Sequence, residues 1–154
     1  MKKILIVLFV FIFILTGCTS QKVSRKNEKE KKVYIKYIQK VKKVKESSSD
    51  LPFTVEIKYD KVDSELRYQV IIDNPTNEIK DISAIAVHNK QTDNVFPSVG
   101  IFDKKVNLIP NKKPSGVILV GYVPYEKNIQ MKIKVMISYK IDNKSYTSYY
   151  VTKK

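Results

Sequence analysis

From residue 51 onward the chain alternates between apolar and polar positions. Phe53, Val55, Ile57 and Tyr59 are separated by Thr54, Glu56 and Lys58. Leu66, Tyr68, Val70 and Ile72 alternate with Arg67, Gln69 and Ile71. Asp73-Asn74-Pro75-Thr76-Asn77 then supplies turn-forming side chains and a proline that end the run. Side chains of a strand point alternately to opposite faces, so each run predicts a strand with one buried face. A third strand is expected from Ile79 to His88, with Ile85 and Val87 on one face and Ile82, Ala84 and Ala86 on the other. Short apolar pieces follow at 95–96, 99–102 and 106–109, then a loop over 110–116. Val117 to Val123 predicts a strand halted by Pro124. Ile129 to Ile141 is the longest alternating run. Ile129, Met131, Ile133, Val135, Ile137, Tyr139 and Ile141 share its core side; Gln130, Lys132, Lys134, Met136, Ser138 and Lys140 share its wet side. Asp142-Asn143-Lys144 predicts a tight turn that returns Ser145 to Thr152 as the last strand.

The N-terminus has a different pattern. Lys2 and Lys3 precede an apolar run without a break from Ile4 to Leu15, twelve residues long. As a helix it would span about 18 Å, short of the roughly 30 Å hydrocarbon core of a bilayer. Its length and position suit the apolar segment of an export signal. Leu15-Thr16-Gly17-Cys18 follows directly. This order resembles the lipobox of bacterial lipoproteins: an aliphatic residue, a small one, Gly or Ala, then Cys. The resemblance implies that peptidase recognition rests on Leu15, Thr16 and Gly17 and that residues 1–17 are removed. It also implies that the Cys18 thiolate is alkylated by a diacylglycerol, with further acylation such as palmitate. Two acyl chains anchor stably where one binds reversibly. The chain is then expected on the extracytoplasmic face of the cell membrane. In a cell with two membranes, Thr19 in place of Asp after the cysteine directs it to the outer one.

Residues 18–50 are expected to be a lipidated start and a basic tether. Between Lys22 and Glu46 there are eleven positive residues and three acids, a net charge of +8. Tyr34, Tyr37, Val41 and Val44 repeat at spacings of three, four and three, which predicts one apolar helical stripe. Lys36, Lys40 and Lys43 fall off it. The segment therefore reads as a partly helical spacer, or as a basic amphipathic surface for anionic lipid or polymer.

Charge and composition narrow the picture. The whole chain carries 29 Lys and Arg against 15 Asp and Glu, a net charge of +14, so more than half of the excess lies in that one segment. Basic composition alone is a weak signal for nucleic acid, and no specific nucleic-acid partner is expected. Hydrophobic residues make up 43%, too many for a disordered chain. One cysteine excludes an internal disulfide, and one histidine excludes a multi-histidine metal site within the chain.

With seven or eight short strands in about a hundred residues, the region 51–154 resembles the immunoglobulin-like antiparallel β-sandwich of small extracytoplasmic modules. The pieces that carry the resemblance are the strand into Asp73-Asn74-Pro75-Thr76, the Leu108-Ile109-Pro110-Asn111 approach to a long strand, and the C-terminal hairpin. There is no tryptophan, so the Cys…Trp…Cys core of antibody domains is excluded.

Candidate chemistry is sparse. His88 is the lone histidine, at the end of a predicted strand. No G-x-S-x-G, P-loop or H-E-x-x-H pattern occurs. Two loops gather oxygens, at Asp60, Asp63 and Glu65 and at Asp73, Asn77 and Glu78, but neither has calcium-loop spacing, and turn chemistry accounts for both. No enzyme, cofactor or metal is expected. The remaining candidate is a binding surface on the last hairpin: Lys132, Lys134, Lys140 and Lys144 with Tyr146, Tyr149 and Tyr150. Lysine and tyrosine together suit a protein partner of the cell envelope or an anionic surface polymer.

Overall fold

The computed structural model describes residues 17–90, 95–112 and 116–152, with side chains from residue 26 onward. Among the described residues it contains one helix and eight strands. These are α1 (Gly17–Lys43), β1 (Thr54–Val62), β2 (Glu65–Asp73), β3 (Ile79–His88), β4 (Ser98–Val99), β5 (Val106–Leu108), β6 (Val117–Pro124), β7 (Ile133–Ile141) and β8 (Lys144–Val151).

Every strand pairing is antiparallel. One sheet has the order β1-β2-β6; the other runs β4-β3-β7-β8, with β5 also paired to β3. Strands one, two and six against strands three, seven and eight is the partition of an immunoglobulin-like sandwich. The turns follow local chemistry. Asp142 and Asn143 both take positive φ, 48° and 62°, which is what a two-residue hairpin loop matching strand twist requires. Asp81 sits at φ 55° where the register of β3 shifts between Lys80 and Ser83. It is a bulge, held by the Asp81 N–H donating to Asn107 Oδ1 at 2.9 Å and by the carboxylate meeting Lys140 at 2.7 Å.

The core between the sheets is built from the alternating positions. Tyr68, Val70 and Ile72 of β2 and Leu119 and Val123 of β6 face Ile82, Ala84 and Ala86 of β3 and Ile133, Val135 and Ile137 of β7. Each Val, Leu or Ile among them contributes about 1.5–3 kcal/mol on full burial. Tyr68 pairs across the strands with Gly121, and a β-carbon at Gly121 would collide with the Tyr68 ring. The large ring and the missing side chain are one packing solution.

Several expectations need correction. The run 129–141 becomes strand only at Ile133, because Asn128 takes a φ of 64° and Lys132 is tied to Asn89. The Lys132 N–H donates to Asn89 Oδ1 at 2.8 Å, and the Asn89 N–H donates to the Lys132 carbonyl at 3.1 Å. Pro124 is the last residue of β6, so the strand ends at the expected proline. The expected wet face of the second sheet is covered: Met136, Ile85 and Val87 are buried beneath α1 in a second apolar cluster with Val41, Phe96 and Ile101. The molecule therefore has three layers, helix on sheet on sheet.

The second half of the expected tether is thus seated on the domain. The stripe Tyr34, Tyr37, Val41 is its contact face, and Val41 is fully buried. The Tyr34 hydroxyl accepts from the Phe96 N–H at 2.6 Å and donates to the Phe96 carbonyl at 3.0 Å. Tyr37 and Ser83 hydroxyls meet at 3.3 Å. At the helix C-terminus, Lys134 Nζ donates to the Lys42 carbonyl at 2.8 Å, and Lys40, Lys42 and Lys43 complement the dipole. The chain then turns back along β8. The Ser48 N–H donates to the Tyr149 carbonyl at 2.9 Å, and the Ser48 and Ser47 hydroxyls accept the N–H groups of Tyr149 and Val151.

Candidate functional site

The signal segment with Leu15 and Thr16 lies outside the described residues. Gly17 and Cys18 open α1 as backbone, and their side chains also lie outside the described set. Farther along α1, Lys29, Lys31, Lys32, Lys36, Lys40 and Lys43 are all exposed. Docking through Tyr34, Tyr37 and Val41 fixes which way the helix faces, so its lysines form a basic outer surface. Exposed Lys26 and half-buried Glu30 form an ion pair at 3.6 Å.

The seven residues expected to make one binding surface do not share one. Lys134 caps α1. Tyr149 is half-buried beside Met136 in the helix-covered cluster. Tyr146 and Tyr150 lie on the opposite, core-facing side of β8, paired across the strands with Tyr139 and Val135. Tyr146 stacks on Tyr139 with ring centres 5.7 Å apart. Lys140 is engaged with Asp81, which holds that carboxyl below its usual range. Lys132 and Lys144 stand at opposite ends of β7, near its entry and in the turn after it. A period-two count across a turn places residues on faces, but it does not show that a helix will cover one of them.

His88 is buried at the edge of the core, its ring edge-on to Tyr68 at 5.6 Å and to Phe96 at 5.2 Å. Burial pushes its imidazole below the ordinary histidine range, partly offset by the Lys90 backbone. Burial likewise pushes the Tyr68 phenol well up. No carboxylate bonds to either ring, and His88 Nδ1 and Tyr68 Oη have no hydrogen-bond partner among the described residues. The oxygen-bearing loops resolve into local contacts. Arg67 donates to both Asp60 oxygens at 2.9 and 2.6 Å, Asp73 Oδ1 accepts the Asn74 N–H at 2.7 Å, and Glu78 meets Lys80 at 3.4 Å. Among the described residues no three His, Cys, Asp or Glu side chains come together as metal ligands would.

An open cleft of about 500 Å³ runs between the edges of the two sheets, lined by Ile57 and Tyr59 of β1, by Ile129 and Met131, and by Tyr150 of β8. Partial burial there, with Tyr150 nearby, pushes the Tyr59 phenol up. Reading 129–132 as strand obscured this cleft, since those residues leave the sheet but keep their apolar side chains on its core side. A second feature also went unread. Ile118, Val120 and Tyr122 project from β6 into solvent, 57%, 40% and 48% exposed. The signal was present: between Val117 and Val123 both alternating sets are apolar.

Among the described residues no helix is long and apolar enough to cross a membrane. No family model, curated protein or solved structure matches the chain.

Proposed function

We propose that this is an extracytoplasmic lipoprotein, anchored through an acylated Cys18, whose β-sandwich serves as a non-enzymatic interaction module of the cell envelope. The observation that carries the reading is an order of features: Lys2-Lys3, then the apolar run Ile4–Leu15, then Leu15-Thr16-Gly17-Cys18. A membrane anchor also accounts for a single cysteine in an exported chain. Immunoglobulin-like sandwiches present edge strands and loop ends to protein partners, which supports the interaction role at the level of architecture alone.

The test is metabolic labelling with a fatty-acid probe in cells expressing the full chain. Label is expected on the wild type in the membrane fraction, and Cys18→Ala is expected to lose both label and membrane retention. An unlabelled wild-type chain that keeps Met1 and remains in the cytosol refutes the reading.

A second reading is a surface protein that binds anionic lipid or polymer through residues 22–46. The observation favouring it is the outward row of lysines on a docked helix. It requires binding that falls steeply with added salt, because each lysine near an anionic surface is worth about 1 kcal/mol before screening.

A further inference from the structure

A sheet edge presents unpaired backbone groups, and native proteins protect such edges with charge, short length or cover. Three of the edges here are treated in that way. The β1 edge carries Glu56, Lys58, Asp60 and Lys61. Along β8, Ser47 and Ser48 occupy the backbone groups of Tyr149 and Val151. On the far side of β3, β4 is two residues long. The β6 edge is the exception. It is eight residues long, Val117-Ile-Leu-Val-Gly-Tyr-Val-Pro124, without one charged side chain. Among the described residues only β2 pairs with it; β4 of the other sheet comes close to it without bonding.

The hydrogen-bonding phase of β6 can be worked out. The Tyr125 N–H donates to the Ser64 carbonyl at 2.9 Å, continuing the β2–β6 ladder by one pair. Alternate residues of an antiparallel strand bond to alternate sides. Val117, Leu119, Gly121 and Val123 therefore bond to β2, and Ile118, Val120 and Tyr122 aim their N–H and C=O groups away from it. Pro124 falls in the outward set, where its missing N–H costs the sheet nothing. Among the described residues, the backbone groups of β6 left without a strand partner thus belong to the residues whose apolar side chains are exposed.

We propose that β6 pairs antiparallel with the β6 of a second copy of this chain, about a two-fold axis at Val120. The strand is self-complementary in that register. Val120 meets Val120 of the second copy, and Ile118 meets Tyr122. All three residues are in the outward set, so each pair exchanges two backbone hydrogen bonds. The outer faces then join in one apolar row, and no charge opposes a like charge on the paired strands. The nearest flanking cation, Arg67 beside Tyr122, is already held by Asp60 at 2.6 Å. Two three-stranded sheets become one continuous six-stranded sheet with an isologous interface. One strand per copy buries less than the roughly 1,600 Å² of a standard interface, so the dimer is weak. The net charge of +14 on each copy opposes association at long range. Added salt screens that repulsion and strengthens pairing, the opposite of a polyanion contact. None of this depends on where the protein resides.

The test is sedimentation velocity on the full-length chain in excess mild detergent, over a range of protein and salt concentrations. The wild type is expected to form dimers whose fraction rises with both. Val120→Lys places two ammonium groups opposite each other and is expected to weaken the dimer by about tenfold or more. Ile118→Lys acts in the same direction, and Glu56→Lys, on the opposite edge of the same sheet, leaves the dimer intact. Both β6 side chains face solvent, so unchanged circular dichroism confirms that the variants fold. A wild type that is monomeric throughout, or a dimer that survives Val120→Lys unchanged, overturns the proposal.

Discussion

Replacing Val41 by Ala tests whether α1 is part of the folded unit. Val41 is fully buried against Ile85, Val87 and Met136. Removing its two methyl-sized groups forfeits about 1.6 kcal/mol of transfer free energy at ~0.8 kcal/mol per carbon, and the cavity adds to that. Alanine is the better helix former and returns up to about 0.6 kcal/mol. The net expectation is a destabilisation of about 1–2 kcal/mol. Val33, on the same helix and 41% exposed, is the matched control. There the propensity gain stands alone, so Val33→Ala is expected to be neutral or to stabilise by up to about 0.6 kcal/mol. Urea unfolding of the full chain measures both. Far-ultraviolet circular dichroism follows the helix, and tyrosine fluorescence follows mainly the sandwich, since there is no tryptophan and α1 holds only Tyr34 and Tyr37 of the ten tyrosines. The two probes should report one transition with one midpoint. If the two variants shift it in the same direction, or the helix melts in a separate earlier step, α1 is not docked as described.

Two further outcomes follow from the core. Gly121→Ala places a methyl group into the Tyr68 ring and is expected to cost about 1–3 kcal/mol, read as a lower urea midpoint with unchanged slope; Tyr68→Leu in the same chain should relieve part of that clash. Burial holds the His88 imidazole below its ordinary 6.5, so below that pH the unfolded chain takes up a proton that the folded one refuses. Stability should therefore fall as the pH drops through 6.5 and level off once the folded imidazole also protonates; His88→Phe should flatten that limb in melting curves. Asp81, held low by Lys140, titrates in a more acidic window and leaves the His88 limb separate.

Much of the sandwich was legible because alternation reports which side of a strand is dry. The runs at 53–59, 66–73 and 79–88 foretell β1, β2 and β3 to within a few residues, and the positive-φ Asp142 and Asn143 stand where a tight turn was expected. Alternation does not say what lies on the other side. Met136 counts with the lysines of the expected wet face, and Ile85 and Val87 read as the second face of an ordinary strand. All three are the seat of α1, and the stripe Tyr34, Tyr37, Val41 is its complement. Each half of that contact was visible, but the join between them spans a sequence separation of about fifty to a hundred residues, which local periodicity cannot encode. The residues of the expected lysine and tyrosine surface are dispersed for the same reason: Lys134 and Tyr149 have partners in the helix layer. The β6 edge was missed differently, since an uninterrupted apolar strand reads as core when only one of its faces is.

The return of Ser47 and Ser48 along β8 sets where the molecule can be shortened. A cut at Asp50 looks natural from composition, since polar tether ends there and alternation begins. Such a cut would strip the plug from β8 and leave Ile85, Val87 and Met136 in water, so the fragment would trade a soluble flank for a sticky one. The smallest self-sufficient piece must start ahead of Tyr34, and proteases acting between Glu46 and Asp50 should find little to grip while the seam is closed.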